Sequence, residues 1–146
     1  MRPPAVVDAS VVLKWQLDDE EAVEQAVTLR DAWLVERRVD LVAPSLCFYE
    51  VLNGLLVAAR RGRIGDEEAK TAADLLLGRL GLTFLDPPYQ EILSVAMRFG
   101  ISAYDAAYVA LGEVLDCDVW TGDRRLYRRL RGKAPRVRWI GDFEGT

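Results

Sequence analysis

Four carboxylates in this chain stand in company that solvated acids do not keep. Asp8 interrupts the apolar run AVV-D-ASVVL, Glu50 sits in SLCFY-E-VLNGLLVAA, Asp105 in ISAY-D-AAYVAL, and Asp123 in VWTG-D-RRL. The other acids are mostly clustered where water is expected, as in 18–24, 66–68 and the tail. A carboxylate is almost never buried without a partner, so each acid in an apolar stretch implies a cation nearby. Local readings exist for each one singly. Asp105 can close a capping box with Ser102, Asp8 and Asp123 can cap helices or make turns, and Glu50 can pair with a buried arginine. Capping accounts for no acid at position 50 and gives the other three no common reason.

The chain contains no histidine. That removes Ser-His-Asp and Cys-His triads, imidazole acid–base chemistry and His-ligated zinc or iron. Its two cysteines, Cys47 and Cys117, are far apart in apolar segments and read as buried free thiols. Four carboxylates brought to one place would repel unless a divalent cation neutralised them. An all-oxygen donor set points to Mg²⁺ or Mn²⁺ and away from zinc. Polar neighbours suit such a site. Ser10 follows Asp8 by two residues and Thr121 precedes Asp123 by two, so hydroxyls can serve the carboxylates or their waters. Asn53 lies one helical turn from Glu50 and can orient it.

These residues need a scaffold that brings them together. At 146 residues, 51% hydrophobic and 29% charged, the chain has the size and balance of one globular domain, taken as 1–146. Neither repeats nor low-complexity tracts divide it. Short β-branched runs alternate with helical patterns. Strands are expected at Ala5–Val7, Asp40–Ala43, Leu82–Leu85, Asp118–Thr121 and Val137–Ile140. Helices are expected over Asp19–Arg37, from Pro44-Ser45 to about Arg61, from Asp66 to near Gly81, over Tyr89–Phe99, and over Ser102–Leu115, with a short arginine-rich one after Gly122. This alternation predicts an α/β three-layer sandwich with a central, mostly parallel sheet. Functional groups of such sheets follow the strands directly, near the point where strand order reverses. Asp8 and Asp123 meet that condition.

Charge is uneven. The net charge is −4, yet eight basic residues and no acid lie between Arg124 and Arg138. This strip reads as a solvated helix face or as a contact for a polyanion. The start of the chain has Asp8 where a signal peptide needs an apolar core, and no run is long enough to span a bilayer. A cytoplasmic protein without membrane contact is expected. Trp15, Trp33, Phe48 and Tyr49 are expected in the core, and an apolar groove between the helices before and after Pro44 would suit a partner helix.

Together D8-A-S10, E50-V-L-N53, D105-A-A-Y-V-A-L and T121-G-D123 resemble the PIN-domain nucleases, most of all the VapC-type toxins of toxin–antitoxin pairs. Four motifs in order, over nearly the whole chain, carry the likeness. The resemblance implies a PIN-like, Rossmann-like fold and Mg²⁺- or Mn²⁺-dependent endoribonuclease activity. It makes Asp8 and Asp105 the principal metal ligands, with Glu50 and Asp123 completing the acidic site and Ser10, Asn53 and Thr121 as supporting polar residues. It implies a VapB-like antitoxin and a homodimer as partners. Arg124, Arg125, Arg128 and Arg129, directly after Asp123, are then placed to hold the RNA backbone. Two other readings explain less. A non-catalytic RNA- or protein-binding module would use the arginines and leave the acids unexplained. A phosphohydrolase with Asp8 as nucleophile would call for a second acid where Ser10 stands, or an acidic pair where Pro4 and Ala5 stand.

Overall fold

The computed structural model describes residues 2–145. Five strands form one sheet: β1 (Pro4–Val7), β2 (Asp40–Ala43), β3 (Thr83–Phe84), β4 (Val119–Thr121) and β5 (Val137–Trp139). They lie in the order β3-β2-β1-β4-β5, and every neighbouring pair is parallel. Pro4 pairs with Asp40, Val6 with Val119, Val42 with Thr83 and Val119 with Val137, which aligns the carboxyl ends of the strands. Val6, Val7, Leu41, Val42, Ala43 and Val119 are all buried, as strands covered on both faces require.

Seven α-helices connect the strands: α1 (Ala9–Leu13), α2 (Val23–Leu34), α3 (Leu46–Arg60), α4 (Asp66–Ala73), α5 (Tyr89–Phe99), α6 (Ala103–Leu115) and α7 (Arg124–Leu130). Parallel crossovers are right-handed. The chain steps from β1 to β2 to β3 in one direction across the sheet and returns to β4 and β5 in the other. The first two connections therefore cover one face and the last two cover the opposite face. The direction reverses between β1 and β4, the strands that end one residue before Asp8 and two residues before Asp123.

Several expectations need correction. The helix expected from Asp19 begins only at Val23, and residues 18–21 form turns. The carboxylates of Asp19, Glu20 and Glu21 are drawn out to Arg63 and Arg124, and Ala22 takes a left-handed backbone with φ 59°. Helix α1 has no counterpart in the sequence reading, since five residues are too few to display a period. The helix from Asp66 continues as a π-helical turn over Asp74–Arg79. Trp15 and Trp33 belong to the core and stack at 6.0 Å. Phe48 and Tyr49 do not, because they lie on the outer side of α3. Exposed apolar side chains concentrate on α3 (Tyr49, Leu52, Leu56) and α5 (Tyr89, Leu93, Met97), and α2 contributes none. Both cysteines are free and buried. No helix of the described residues is long and apolar enough to cross a membrane.

Candidate active site

The chain leaves β1 at Val7 and turns at once into α1, with Asp8 as the hinge. Its backbone is extended, and its Oδ1 accepts the amide protons of Ser10 and Val11 at 3.0 and 3.3 Å and the hydroxyl of Ser10. The same geometry recurs after β4. Asp123 caps α7, accepting from the amides of Arg125 and Leu126 at 3.0 and 3.2 Å. The two caps are stitched together. The Gly122 amide donates to Ser10 Oγ at 2.8 Å, the Asp123 amide to Thr121 Oγ1 at 3.0 Å, and the Asp8 amide to the Trp120 carbonyl at 3.2 Å. The capping reading of Asp8 and Asp123 is thus correct. The same bonds fix each carboxylate just past the end of a strand.

Asp105 and Glu50 come from helices. In a parallel sheet the crossover helices run against the strands, so their N-termini return to the carboxyl edge. Asp105 occupies the first turn of α6 and its amide donates to Ser102 Oγ at 3.1 Å, which is one half of the expected capping box. Glu50 occupies the second turn of α3, where the buried Tyr108 donates its hydroxyl to Oε1 at 2.5 Å. No arginine pairs with Glu50 among the described residues, and Asn53 is exposed without a hydrogen bond to it. The hydrogen bond to Glu50 comes from Tyr108 and not from Asn53.

Electrostatics link the four acids. Burial pushes the Asp8 carboxyl up to about 6, against the pull of the Ser10 and Thr121 hydroxyls, and the charge of Asp123 pushes the same way. Partial burial raises Asp105, and Asp123 raises it further, while Ser102 and Arg129 oppose. Glu50 is raised by partial burial and by Asp105, against its bond from Tyr108. Every acid therefore lies within electrostatic reach of another, in the chain Asp8, Asp123, Asp105, Glu50. The shared burial expected from the apolar flanks holds for Asp8 alone, with Asp105 half-buried and Glu50 and Asp123 exposed. Among the described residues no three acids or thiols are drawn close enough to cage a metal ion as they stand. The donor chemistry nonetheless fits a hard divalent cation: oxygen ligands only, mutually repelling, at one sheet edge.

The arginine strip divides. Arg124 pairs with Glu21 at 2.5 Å and lies over the Trp139 ring, while Arg129 bonds the Gly100 carbonyl close to Asp105. Arg125 and Arg128 stand exposed on α7. Arg136 and Arg138 pair with Asp116 and Asp118, which precede β4 and so lie toward the opposite edge of the sheet. The strip is not one surface, because the chain after α7 returns to the opposite edge of the sheet, where Arg136 and Arg138 stand at the start of β5.

Two residues escaped the sequence reading. Tyr108 stands one turn after Asp105 in the motif already noted, but reads as an ordinary aromatic. Lys14 interrupts VVL-K-W as the acids interrupt their runs, and it is 4% exposed. The same signal, a charge inside an apolar run, marks it in the sequence.

The protein-family model described as the PIN domain matches residues 5–132. The chain is 36% identical to Ribonuclease VapC9 of Mycobacterium tuberculosis over 134 residues, 89% of this chain and 94% of that protein. It is 31% identical to Exonuclease VapC9 of Pyrobaculum aerophilum over 116 residues, 80% of this chain and 86% of that one. The crystal structure of PAE2754 from Pyrobaculum aerophilum superimposes with a TM-score of 0.66 at 25% identity, covering 96% of this chain and 92% of that chain.

Proposed function

Because the chain belongs to the PIN-domain family, we propose that it is a divalent-metal-dependent endoribonuclease, the toxin of a type II toxin–antitoxin pair. The observation that carries this reading is the position of Asp8 and Asp123. They flank the switch point of a parallel sheet, with Asp105 and Glu50 in electrostatic reach. A histidine-free chain has no acid–base pair of the kind that 2′-hydroxyl attack usually uses, so hydrolysis by water is the route left to it.

Asp8 and Asp105 are the principal ligands for Mg²⁺ or Mn²⁺ in this reading, and Glu50 and Asp123 complete the set. When bound, such an ion supplies Lewis acidity toward the phosphate and the attacking water. The protein's own groups do the rest. Ser10 and two amides hold Asp8 in one rotamer, and Tyr108 does the same for Glu50. Thr121 fixes the turn that presents Asp123. A carboxylate of the set accepts the proton of the attacking water. Arg125, Arg128 and Arg129 hold the RNA backbone, and Arg124 joins them when Glu21 releases it. The products are a 5′-phosphate and a 3′-hydroxyl. We take residues 1–146 as one nuclease domain, cytoplasmic and homodimeric, inhibited by a VapB-like antitoxin.

RNA cleavage by the purified protein, freed of any partner, tests this. Cleavage is expected with Mg²⁺ or Mn²⁺, none with EDTA, and none from the Asp8→Asn variant. A circular RNA substrate separates internal cutting from end digestion, since only an endonuclease opens it. A wild-type protein that binds no metal and leaves RNA intact would hand the arginines to the binding-module reading.

A further inference from the structure

Among the described residues Lys14 is the one buried cation, and the nuclease scheme leaves it unused. The residue is 4% exposed, in the last turn of the segment that begins at Asp8. Its stem lies across the face of Gly122. A Cβ at position 122 would meet Lys14 Cε at 2.5 Å and, at 3.2 Å each, Lys14 Nζ and Ser10 Oγ. The ammonium is thereby set beside the turn that joins the two capping acids. It opens into a cleft lined by Glu20, Glu21, Asp123, Arg124, Arg125 and Trp139.

Among the described residues nothing claims that ammonium. It has no hydrogen bond and no carboxylate within ion-pair distance, although Arg63 and Arg124 each find theirs. The anions around it are already engaged, Glu20 by Arg63, Glu21 by Arg124, and Asp8 by Ser10 and two amides. The residue is buried while its ammonium keeps contact with the water of the cleft, since no fully buried side-chain nitrogen among the described residues lacks a partner, and an apolar side chain of the same length would fill the buried part as well. Retaining a lysine there makes sense when an anion arrives from outside. The cleft beside Asp123, rimmed by two arginines, admits one.

Resting on the nuclease reading above, we infer that Lys14 contacts substrate: its ammonium receives a non-bridging oxygen of an RNA backbone phosphate entering the cleft beside Asp123. A side chain at position 122 would displace the end of the lysine and with it the ammonium.

Two measurements test the inference. In the first, inorganic phosphate is titrated into the isotopically labelled wild-type protein in EDTA, and the Gly122 amide and the Lys14 side-chain signals are followed by NMR. In the second, the Michaelis constant for RNA cleavage with Mn²⁺ is compared among wild type, Lys14→Met and a remote control, Lys70→Met. Saturable shifts at Gly122 and Lys14 are expected, together with a KM raised roughly tenfold by Lys14→Met, the usual effect of losing one charge-assisted contact, and unchanged by Lys70→Met. Unmoved signals, or an unchanged KM in a folded Lys14→Met protein, overturn the inference even though RNA is still cut. If the protein cuts no RNA while phosphate still shifts Lys14, the nuclease reading falls and the anion site stands. If Lys14→Met does not fold, the wild-type titration decides alone.

Discussion

At the scale of single residues, the molecule turns on what happens to one carboxyl when it is removed from water. Asp8 has an ordinary value of 3.8 and is held at about 6 by burial. A raised carboxyl binds its proton more tightly in the folded state. Folding stability therefore falls as pH rises from 3.8 toward about 6 and stays reduced above it, by at most about 3 kcal/mol from this group. Asp8→Asn removes that cost while removing a proposed metal ligand. In EDTA at about pH 8 the variant is expected to resist urea better than wild type by roughly 2 kcal/mol, with the gap closing near pH 4. Added Mn²⁺ should stabilise wild type and leave the variant unmoved. A variant weaker than wild type at both pH values would show that the carboxylate is needed for its caps alone. Tyr108→Phe frees Glu50 from its only described side-chain partner. It is expected to lower the cleavage rate about 10-fold or more, in the range found for outer partners of metal ligands. An unchanged rate would remove Tyr108 from the site.

At the scale of elements, the acids are held by close approaches between helices and strands. Helix α6 carries Asp105 at its start and meets β4 through Gly112, where a Cβ would lie 2.4 Å from Val119 Cγ2 and 3.1 Å from the Cys117 carbonyl. The carbonyl belongs to the backbone and cannot turn away as a side chain can. Gly112→Ala is therefore expected to cost about 1–3 kcal/mol in urea unfolding, and to reduce activity by shifting Asp105. Full stability in that variant would mean that α6 slides without loss. A second tie joins the loop after β3 to α3. Asp86 accepts the amide and hydroxyl protons of Ser45 at 2.9 and 2.8 Å, and so anchors the helix that carries Glu50. These ties are invisible in sequence periodicity, which reports which face of an element is apolar and not which element it meets.

At the scale of the whole molecule, charge and apolar surface are arranged on different elements. The chain is acidic overall, with net charge −4, yet exposed arginines stand on α7 next to the acids. Exposed Tyr89, Leu93 and Met97 repeat every four residues along α5, a spacing that puts them on one side of the helix. In the homodimeric reading this is the face to disrupt. Leu93→Asp is expected to halve the mass measured by light scattering while leaving the circular dichroism spectrum intact. Equal masses for both proteins would place the contact elsewhere or show a monomer.

The α/β alternation, the four strand-and-helix motifs and the absence of imidazole chemistry can be read along the chain. Each of these is written in local order: Asp8 and Asp123 follow β-branched runs, and Ser102 opens its helix. Local order also places Ser10 beside Asp8 and the helix Tyr89–Phe99 at its observed bounds. Packing sets Tyr108 against Glu50 across 58 positions of chain, lays Lys14 over Gly122, and puts Arg136 and Arg138 on the edge away from the acids. The acidic segment 18–21 reads as a helix start because first-turn acids favour one. In the fold, arginines far along the chain claim those carboxylates and hold the segment open. Local preference is written in neighbours along the chain, whereas partners in space are chosen by packing, and the burial that gives Asp8 and Lys14 their chemistry exists only once the sheet and its helices have closed around them.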